Sequence, residues 1–284
     1  MTATLSRRSL LAAAFLPGSV RAAASQDNTF PKAGTTLVAN ERGGYSFIPG
    51  TPFFSFAAVA TPGFEMVRAV FRRPPLFPEG LSDVERHLRA AKRPIHALCG
   101  FEFRNGRQAT MKEFMAFNNT YIERLRTSDV LVKGQMPLTR SNLVPQGTDA
   151  SHRIHAFTYT VPAPAAGRRP SFITAGIPEV RFSAATPEIV APDDSSLAGL
   201  REKTVFVLES IERLLADIGA GWSDVTGIQL YTVKDLHPLL ESVVLPKIGD
   251  AAYRGIQWHY VLLPVVGGDV EIYVRSVRTE LMIE

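Results

Sequence analysis

The sequence predicts a protein of the α/β (α+β) class, in which helices and strands share one fold. It is built as two similar tandem units, each a mixed sheet with two helices packed on one face. The C-terminal half has the order helix, strand, helix, strand, strand, which is typical of a sheet covered on one side. The N-terminal half has the same order, offset by roughly 115–130 residues, a period that indicates duplicated domains. A run rich in proline and alanine, residues 162–170, separates the halves and has the composition of a linker.

The C-terminal half begins with a long amphipathic helix, because apolar residues recur at helical spacing between Thr204 and Ile218. Gly219 and Gly221 end this helix, since glycine adopts the left-handed turn at little cost, and residues 193–196 offer N-cap side chains. The other elements of this half are predicted as a strand at 226–233, a helix at 236–248, and strands at 256–263 and 270–277.

The N-terminal half shows the same pattern less regularly. An apolar face from Leu81 to Ala91 indicates its first helix, and residues 111–126 form its second. The apolar side of the second helix consists of Phe114, Phe117, Tyr121 and Leu125. Strands are predicted at 52–60, 64–71, 95–103, 138–144 and 154–161, and another opens the second half at 171–177.

We expect five segments: a signal peptide at 1–24, an extended lead-in at 25–44, a first unit at 45–162, a linker at 163–170 and a second unit at 171–284. In the first segment Arg7 and Arg8 precede a short apolar run, and three alanines end it. The paired arginines resemble a bacterial twin-arginine export signal. This predicts a periplasmic or secreted protein, or a cytoplasmic one if the signal is not used. The alternative is an amphipathic or disordered N-terminus.

The composition, 45% hydrophobic and 20% charged, is typical of a soluble globular protein. Cleavage after Ala24 removes three arginines and no acidic residue, so the formal net charge falls from +4 to +1. That charge does not indicate a nucleic-acid partner, and after signal removal no stretch is apolar and long enough to predict a membrane span. The single cysteine, Cys99, excludes a disulfide within the chain and is expected to be buried.

Familiar catalytic and cofactor motifs are missing from the sequence, which has no CxxC, HExxH, GxSxG, Walker or GxGxxG pattern. The histidines are scattered, and His152 and His155 would point to opposite faces of a predicted strand. That arrangement does not suit a shared metal ion. We therefore predict no metal site.

Polar residues in two predicted strands are candidates for a binding site. Arg140 enters a strand at 137–142, where a guanidinium could hold a carboxylate through two parallel hydrogen bonds or could simply lie at the surface. His259, in the corresponding strand of the second half, faces away from Trp258 and Tyr260. It is either the inward group of a cleft or a surface residue beside two buried aromatics.

The last strand carries a third polar feature. Glu271 and Arg275 lie on one face of this strand together with Tyr273, because their spacing is even. An ordinary cross-strand charge pair is the favoured interpretation of these two residues.

Residues 111–121 and 137–141 together resemble the second helix and the arginine strand of the RidA (YjgF) enamine/imine deaminase superfamily. Asn118, Tyr121 and Arg140 match its pattern residue by residue. The full chain resembles one branch still more, the tandem 2-amino-5-chloromuconate deaminase group. The motifs of that branch occur at 43–47, 62–66, 231–240 and 258–260. In the second half Leu240 stands where the superfamily has its asparagine, and Glu271 could be its last-strand glutamate.

The resemblance implies a RidA-like, chorismate-mutase-like fold and a cofactor-independent hydrolytic deaminase. The implied substrate is a small enamine or imine carboxylate, such as a compound like 2-aminomuconate. The resemblance also implies a homo-oligomer, with a trimer favoured and sites between subunits. The expected catalytic residues are Arg140, His259 and Glu271. The expected substrate-binding residues are Asn118, Tyr121, Trp258 and Arg275. Trp258 and Arg275 belong to the second half and would contribute to a site centred on Arg140. Two alternatives are an exported binding module that has lost the chemistry and a structural oligomer without a ligand.

Overall fold

A computed structural model describes residues 36–145, 149, 151–164, 169–182, 188–264 and 266–284. The predicted signal peptide at 1–24 lies outside the described residues. So do most of the predicted lead-in and residues 165–168 of the predicted linker. No helix in the described part of the chain is both long and apolar enough to cross a membrane.

The described strands form two larger sheets and one short hairpin. The strands are β1 (Val38–Asn40), β2 (Tyr45–Ile48), β3 (Ala57–Ala60), β4 (Phe64–Phe71), β5 (Leu98–Asn105), β6 (Thr139–Leu143), β7 (His152–Pro162), β8 (Phe172–Thr174), β9 (Ile177–Pro178), β10 (Val180–Arg181), β11 (Glu188–Ile189), β12 (Gly227–Thr232), β13 (Gln257–Tyr260), β14 (Glu271–Ser276) and β15 (Thr279–Ile283). The α-helices are α1 (Leu81–Ala90), α2 (Met111–Thr127), α3 (Leu197–Asp217) and α4 (Leu245–Ile248).

The two sheets each combine strands from both halves of the chain. One has the order β15-β4-β7-β5-β6, and the other β1-β2-β3-β8-β14-β12-β13, with β9 pairing on β14 and β10 pairing β11 separately. The first strands of the chain therefore complete the sheet of the second half, and the last strand pairs in parallel with β4 of the first half. Both sheets are mixed, so the α/β architecture predicted from the sequence is confirmed.

Helices cover the outer face of each sheet, and the inner faces of the two sheets pack together. Helices α1 and α2 form one apolar core with β4, β5 and β7. Helix α3 and the helical stretch after β12 form a second core with β12 and β14. A third core, between the sheets, contains Tyr45, Met66, Cys99, Tyr231 and Tyr273. Successive residues of one strand thus point to opposite faces of the sheet and belong to different cores.

Two predicted elements differ most from the structure, and others differ at their ends: residues 95–97 of the strand predicted at 95–103 form a 3₁₀ turn, and β13 is shorter than the strand predicted at 256–263. The predicted helix at 236–248 is instead a series of short helical segments. It consists of 3₁₀ turns at His237–Leu239 and Gly249–Arg254, a π-helical segment at Leu240–Val244, and α4. Pro238 and Pro246 explain the break, because proline has no N–H to donate within a helix. The strand predicted at 52–60 begins only at Ala57, since residues 51–54 form a turn closed by the Thr51 N–H and the Phe54 carbonyl.

Candidate active site

The guanidinium of Arg140, on β6, is buried in an aromatic cage. The side chain is 3% exposed, and its Cζ lies 5.0 Å from the ring centroid of Tyr121 and 5.7 Å from those of Phe54, Phe114 and Phe117. Its Nε and Nη1 atoms have no hydrogen-bond partner. Burial lowers the pKa of Arg140 to about 10, so the group is still a cation at neutral pH. A buried cation with free donors is a receptor for an anion.

Asn118 and Tyr121 present further unpaired polar atoms on the buried face of α2. The two residues are three positions apart, which places them on the same side of a helix. Both are fully buried, and neither the amide atoms of Asn118 nor the hydroxyl of Tyr121 has a partner. Burial raises the pKa of Tyr121 well above its usual range, although Arg140 opposes the shift, so the phenol stays protonated.

A glutamate from the other half of the chain lies beside Arg140. Glu271, on β14, is 6% exposed. Burial and the nearby Glu179 raise its pKa to about 8, while the charge of Arg140 opposes this rise. Gly176 connects the two residues, because its N–H donates to the Arg140 carbonyl at 3.1 Å and the Glu271 carboxyl occupies the space beside its Cα. A cation, with the Tyr121 ring against it, and a protonated acid thus lie where the two sheets join.

The family is established by comparison with known proteins. A profile described as 2-aminomuconate deaminase CnbZ matches residues 37–281. The chain belongs to this family. A 2-amino-5-chloromuconate deaminase from Comamonas testosteroni is 36% identical over 244 residues, which cover 85% of this chain and 96% of the relative. The resemblance to the tandem 2-aminomuconate deaminase branch is therefore confirmed.

Solved structures with partial similarity to this 2-aminomuconate deaminase family member differ in the share of the chain that they cover. The YjgF gene product of Escherichia coli is 17% identical and covers 40% of this chain and 91% of its own, with a TM-score of 0.26. A chorismatase is 10% identical and covers 82% of this chain and 77% of its own, with a TM-score of 0.48. Both TM-scores lie below 0.5, so the family assignment depends on the sequence matches.

Sequence reasoning missed Glu179, a second acid behind the candidate site. Glu179 is fully buried and accepts hydrogen bonds from the backbone N–H groups of Asp269 and Val270. Burial raises its pKa to about 7, against the effects of these bonds and of Lys203. The signal for it in the sequence is that Glu179 is the only charged residue in the run 171–180, close after Gly176. Burial is the larger cause of the raised pKa of Glu271, and the charge of Glu179 adds to it.

The other predicted site residues lie in different surroundings. Trp258 stacks on the ring of His237 at 4.7 Å, on the helix side of its sheet. His259 faces the opposite way, toward the other sheet, with its ring 5.3 Å from that of Tyr231. This confirms that neighbours on the strand point to opposite faces. Within the described residues, no hydrogen bond, ion pair or ring contact joins Trp258 or His259 to Arg140.

Arg275 forms a charge pair between strands, but not with Glu271. Its guanidinium binds Glu280, on strand β15 of the other sheet, at 2.8 Å. Two residues four apart on a strand are separated by about 13 Å, too far for a direct ion pair.

In the described part of the chain, no group of three His, Cys, Asp or Glu side chains has an arrangement that could hold a metal ion.

Replacing Gly176 with alanine is expected to reduce turnover by about 10²-fold while leaving the fold intact, because a misplacement of about 1 Å has that effect at a reacting group. The new Cβ would collide with the Glu271 carboxyl, which is a movable side chain, and would push it away from Arg140. Steady-state kinetics and a thermal melt measure the two effects. Gly221→Ala is the matched control, because a Cβ there meets nothing within 4 Å. An equal loss in both variants would contradict the assigned role of Gly176.

Proposed function

We propose that the chain is a cofactor-independent hydrolytic deaminase of an enamine or imine carboxylate of the 2-aminomuconate type. The single observation that carries this proposal is the pairing of Arg140, a buried cation with free donors, with Glu271, a buried acid that holds a proton. Membership of the 2-aminomuconate deaminase family supports it independently.

In the proposed reaction Arg140 holds the substrate carboxylate through its unpaired nitrogens. Glu271 donates its proton to the enamine carbon, which converts the C=C–NH₂ group to an iminium ion, C=NH₂⁺. The resulting Glu271 carboxylate then takes a proton from the water that attacks the iminium carbon, which gives a neutral carbinolamine and restores the acid. Glu271 gives this proton to the carbinolamine nitrogen, and the C–N bond breaks as the hydroxyl oxygen forms the C=O bond. The hydroxyl proton returns to the Glu271 carboxylate, so that in total enamine and water become ketone and ammonia.

Asn118 and Tyr121 are proposed to orient the substrate from α2, since their buried polar atoms are free. The proposal leaves out Trp258, His259 and Arg275, whose contacts are with other parts of the chain. Export through a twin-arginine signal and assembly into a homo-oligomer, with a trimer favoured, stay proposals based on the sequence. Cell fractionation and the solution mass of the processed protein test them.

The direct test is ammonia release by the purified chain from 2-aminomuconate and from freshly generated 2-aminoacrylate. We expect hydrolysis of the muconate, and of the acrylate if the requirement is only for an enamine carboxylate. A rise in melting temperature with carboxylates, but no ammonia from any enamine, would instead indicate a non-catalytic binding module. Neither binding nor turnover would leave a structural oligomer as the remaining hypothesis.

A further inference from the structure

A second cluster of charged residues lies between the inner faces of the two sheets, on the opposite side of β6 from the Arg140 guanidinium. Arg68 forms two hydrogen bonds with Glu102, at 2.6 and 2.8 Å, and a third with Glu280 at 3.0 Å. Arg275 binds Glu280 from the other sheet at 2.8 Å. Two guanidinium groups and two carboxylates thus form a continuous, electrically neutral network, the row Glu102–Arg68–Glu280–Arg275, which reaches the surface at Glu280.

Arg104, on β5, is an additional cation at this network. Its side chain is 13% exposed, and its nearest carboxylate, Glu102, is 3.7 Å away and already shared with Arg68. Its Nη1 donates a hydrogen bond to the backbone carbonyl of Phe103 at 3.1 Å. The cluster therefore has three arginines for two carboxylates. Buried charges are normally balanced by a partner, because an isolated ion in the interior is strongly disfavoured.

Unpaired donors face the same space from the other sheet. Nη1 of Arg275 and Nε2 of Gln229 have no partner, and both residues are more than nine-tenths buried. The Arg275 guanidinium lies over Gly227, two positions from Gln229 on the inner face of β12. The ring nitrogen Nε2 of His259 is also buried and unpaired. His155 and His259 are partly exposed, so this cluster is open to solvent.

Both histidines are neutral at pH 7. Burial and then the charge of Arg104 lower the pKa of His155 and of His259 to about 4. The cluster therefore has a net charge of about +1 and offers further donors at its edge, an arrangement that suits a single small anion.

We propose that the space between the two sheets is a binding site for a small monocarboxylate, held by Arg104 together with the free donors of Arg275 and Gln229. It is separate from the Arg140 site. Arg140 is paired with Phe101 of β5, and Arg104 lies three positions further along that strand. Because successive side chains of a strand alternate in direction, the Arg104 guanidinium faces the opposite side of the sheet from Arg140. The anion would complete the charge balance of the network and link the two sheets. We infer that it stabilises the folded chain independently of turnover.

The test compares the thermal stability of three forms of the full chain in increasing acetate, with sodium chloride at equal ionic strength as the salt control. Acetate is expected to raise the melting temperature of the wild type and of Arg140→Met, and to raise that of Arg104→Met by less than that of the wild type, because only the Arg140 site is left in that variant. An equal rise in Arg104→Met would overturn the proposal. A rise that Arg140→Met abolishes would also overturn it, because the effect would then belong to the Arg140 site.

If Arg104→Met does not fold, NMR spectra of the histidine rings in the wild type and in Arg140→Met decide the question. Acetate is expected to shift the His259 and His155 ring signals in both forms. Ring signals that do not move at saturating acetate would contradict the proposed site. A shift of the same size with sodium chloride would also contradict it, because it would show a site without preference for a carboxylate.

Discussion

Ammonia release from 2-aminomuconate is expected to fall by about 10³-fold or more when Arg140 is replaced by methionine, a change that removes a buried charge–carboxylate pair. Methionine has a similar length and packs well among aromatic rings, so the cage of Tyr121, Phe54, Phe114 and Phe117 is kept. Only the substrate's cationic partner is lost. Steady-state kinetics measure the loss, and Arg140→Lys is expected to retain part of the activity.

The same substitution is expected to leave the melting temperature unchanged or to raise it. The unliganded Arg140 guanidinium is buried without its full set of hydrogen bonds, which destabilises the folded state, and methionine removes this effect. Arg42→Met is the control, because Arg42 is exposed and pairs with Asp129, which is also exposed. A clear drop in melting temperature with unchanged turnover would show that Arg140 is structural rather than part of the active site.

Glu271→Gln is expected to lower turnover by about 10²- to 10⁴-fold, the usual contribution of general acid–base catalysis. Glutamine matches the shape of the protonated acid but cannot transfer the proton. Because the pKa of Glu271 is about 8, the wild-type rate should also fall above that pH as the acid form is lost. Glu241→Gln, at an exposed position, is the control. A Glu271→Gln rate equal to that of the wild type would remove Glu271 from the mechanism.

Stability should depend on pH through the same group. The pKa of Glu271 is raised from an ordinary 4.5 to about 8 in the folded chain, so its proton is bound more tightly there than in the unfolded chain. This contribution is fully present below pH 4.5 and is lost as the pH rises through 8. Denaturant unfolding should therefore show Glu271→Gln gaining stability relative to the wild type across this range. A constant difference between pH 4.5 and 8 would contradict the shift.

Local patterns predicted the parts of the fold and site that depend on neighbouring residues. The helix predicted at 111–126 is α2, Met111–Thr127, because its apolar spacing and its Thr110–Glu113 capping box are encoded within a few turns. The spacing of Asn118 and Tyr121 follows from that helix. Ser196 caps α3 as expected, accepting a hydrogen bond from the Gly199 N–H.

Long-range contacts could not be predicted in this way. Glu271 reaches Arg140 only because strands from the two halves meet at Gly176, and Glu179 acts through that same junction. The pairing of β15 with β4, and of β3 with β8, likewise connects segments that are distant in the sequence. None of these four strands carries a local sequence signal that selects its partner strand.

A double-mutant cycle on Arg140 and Glu271 tests most directly whether one site is built from both halves of the chain. The values of kcat/KM are compared for the wild type, Arg140→Lys, Glu271→Gln and the double variant. Residues that act together on one substrate have non-additive effects. We predict that the double variant is little slower than the slower single variant. A loss equal to the product of the two single losses would contradict a shared active site.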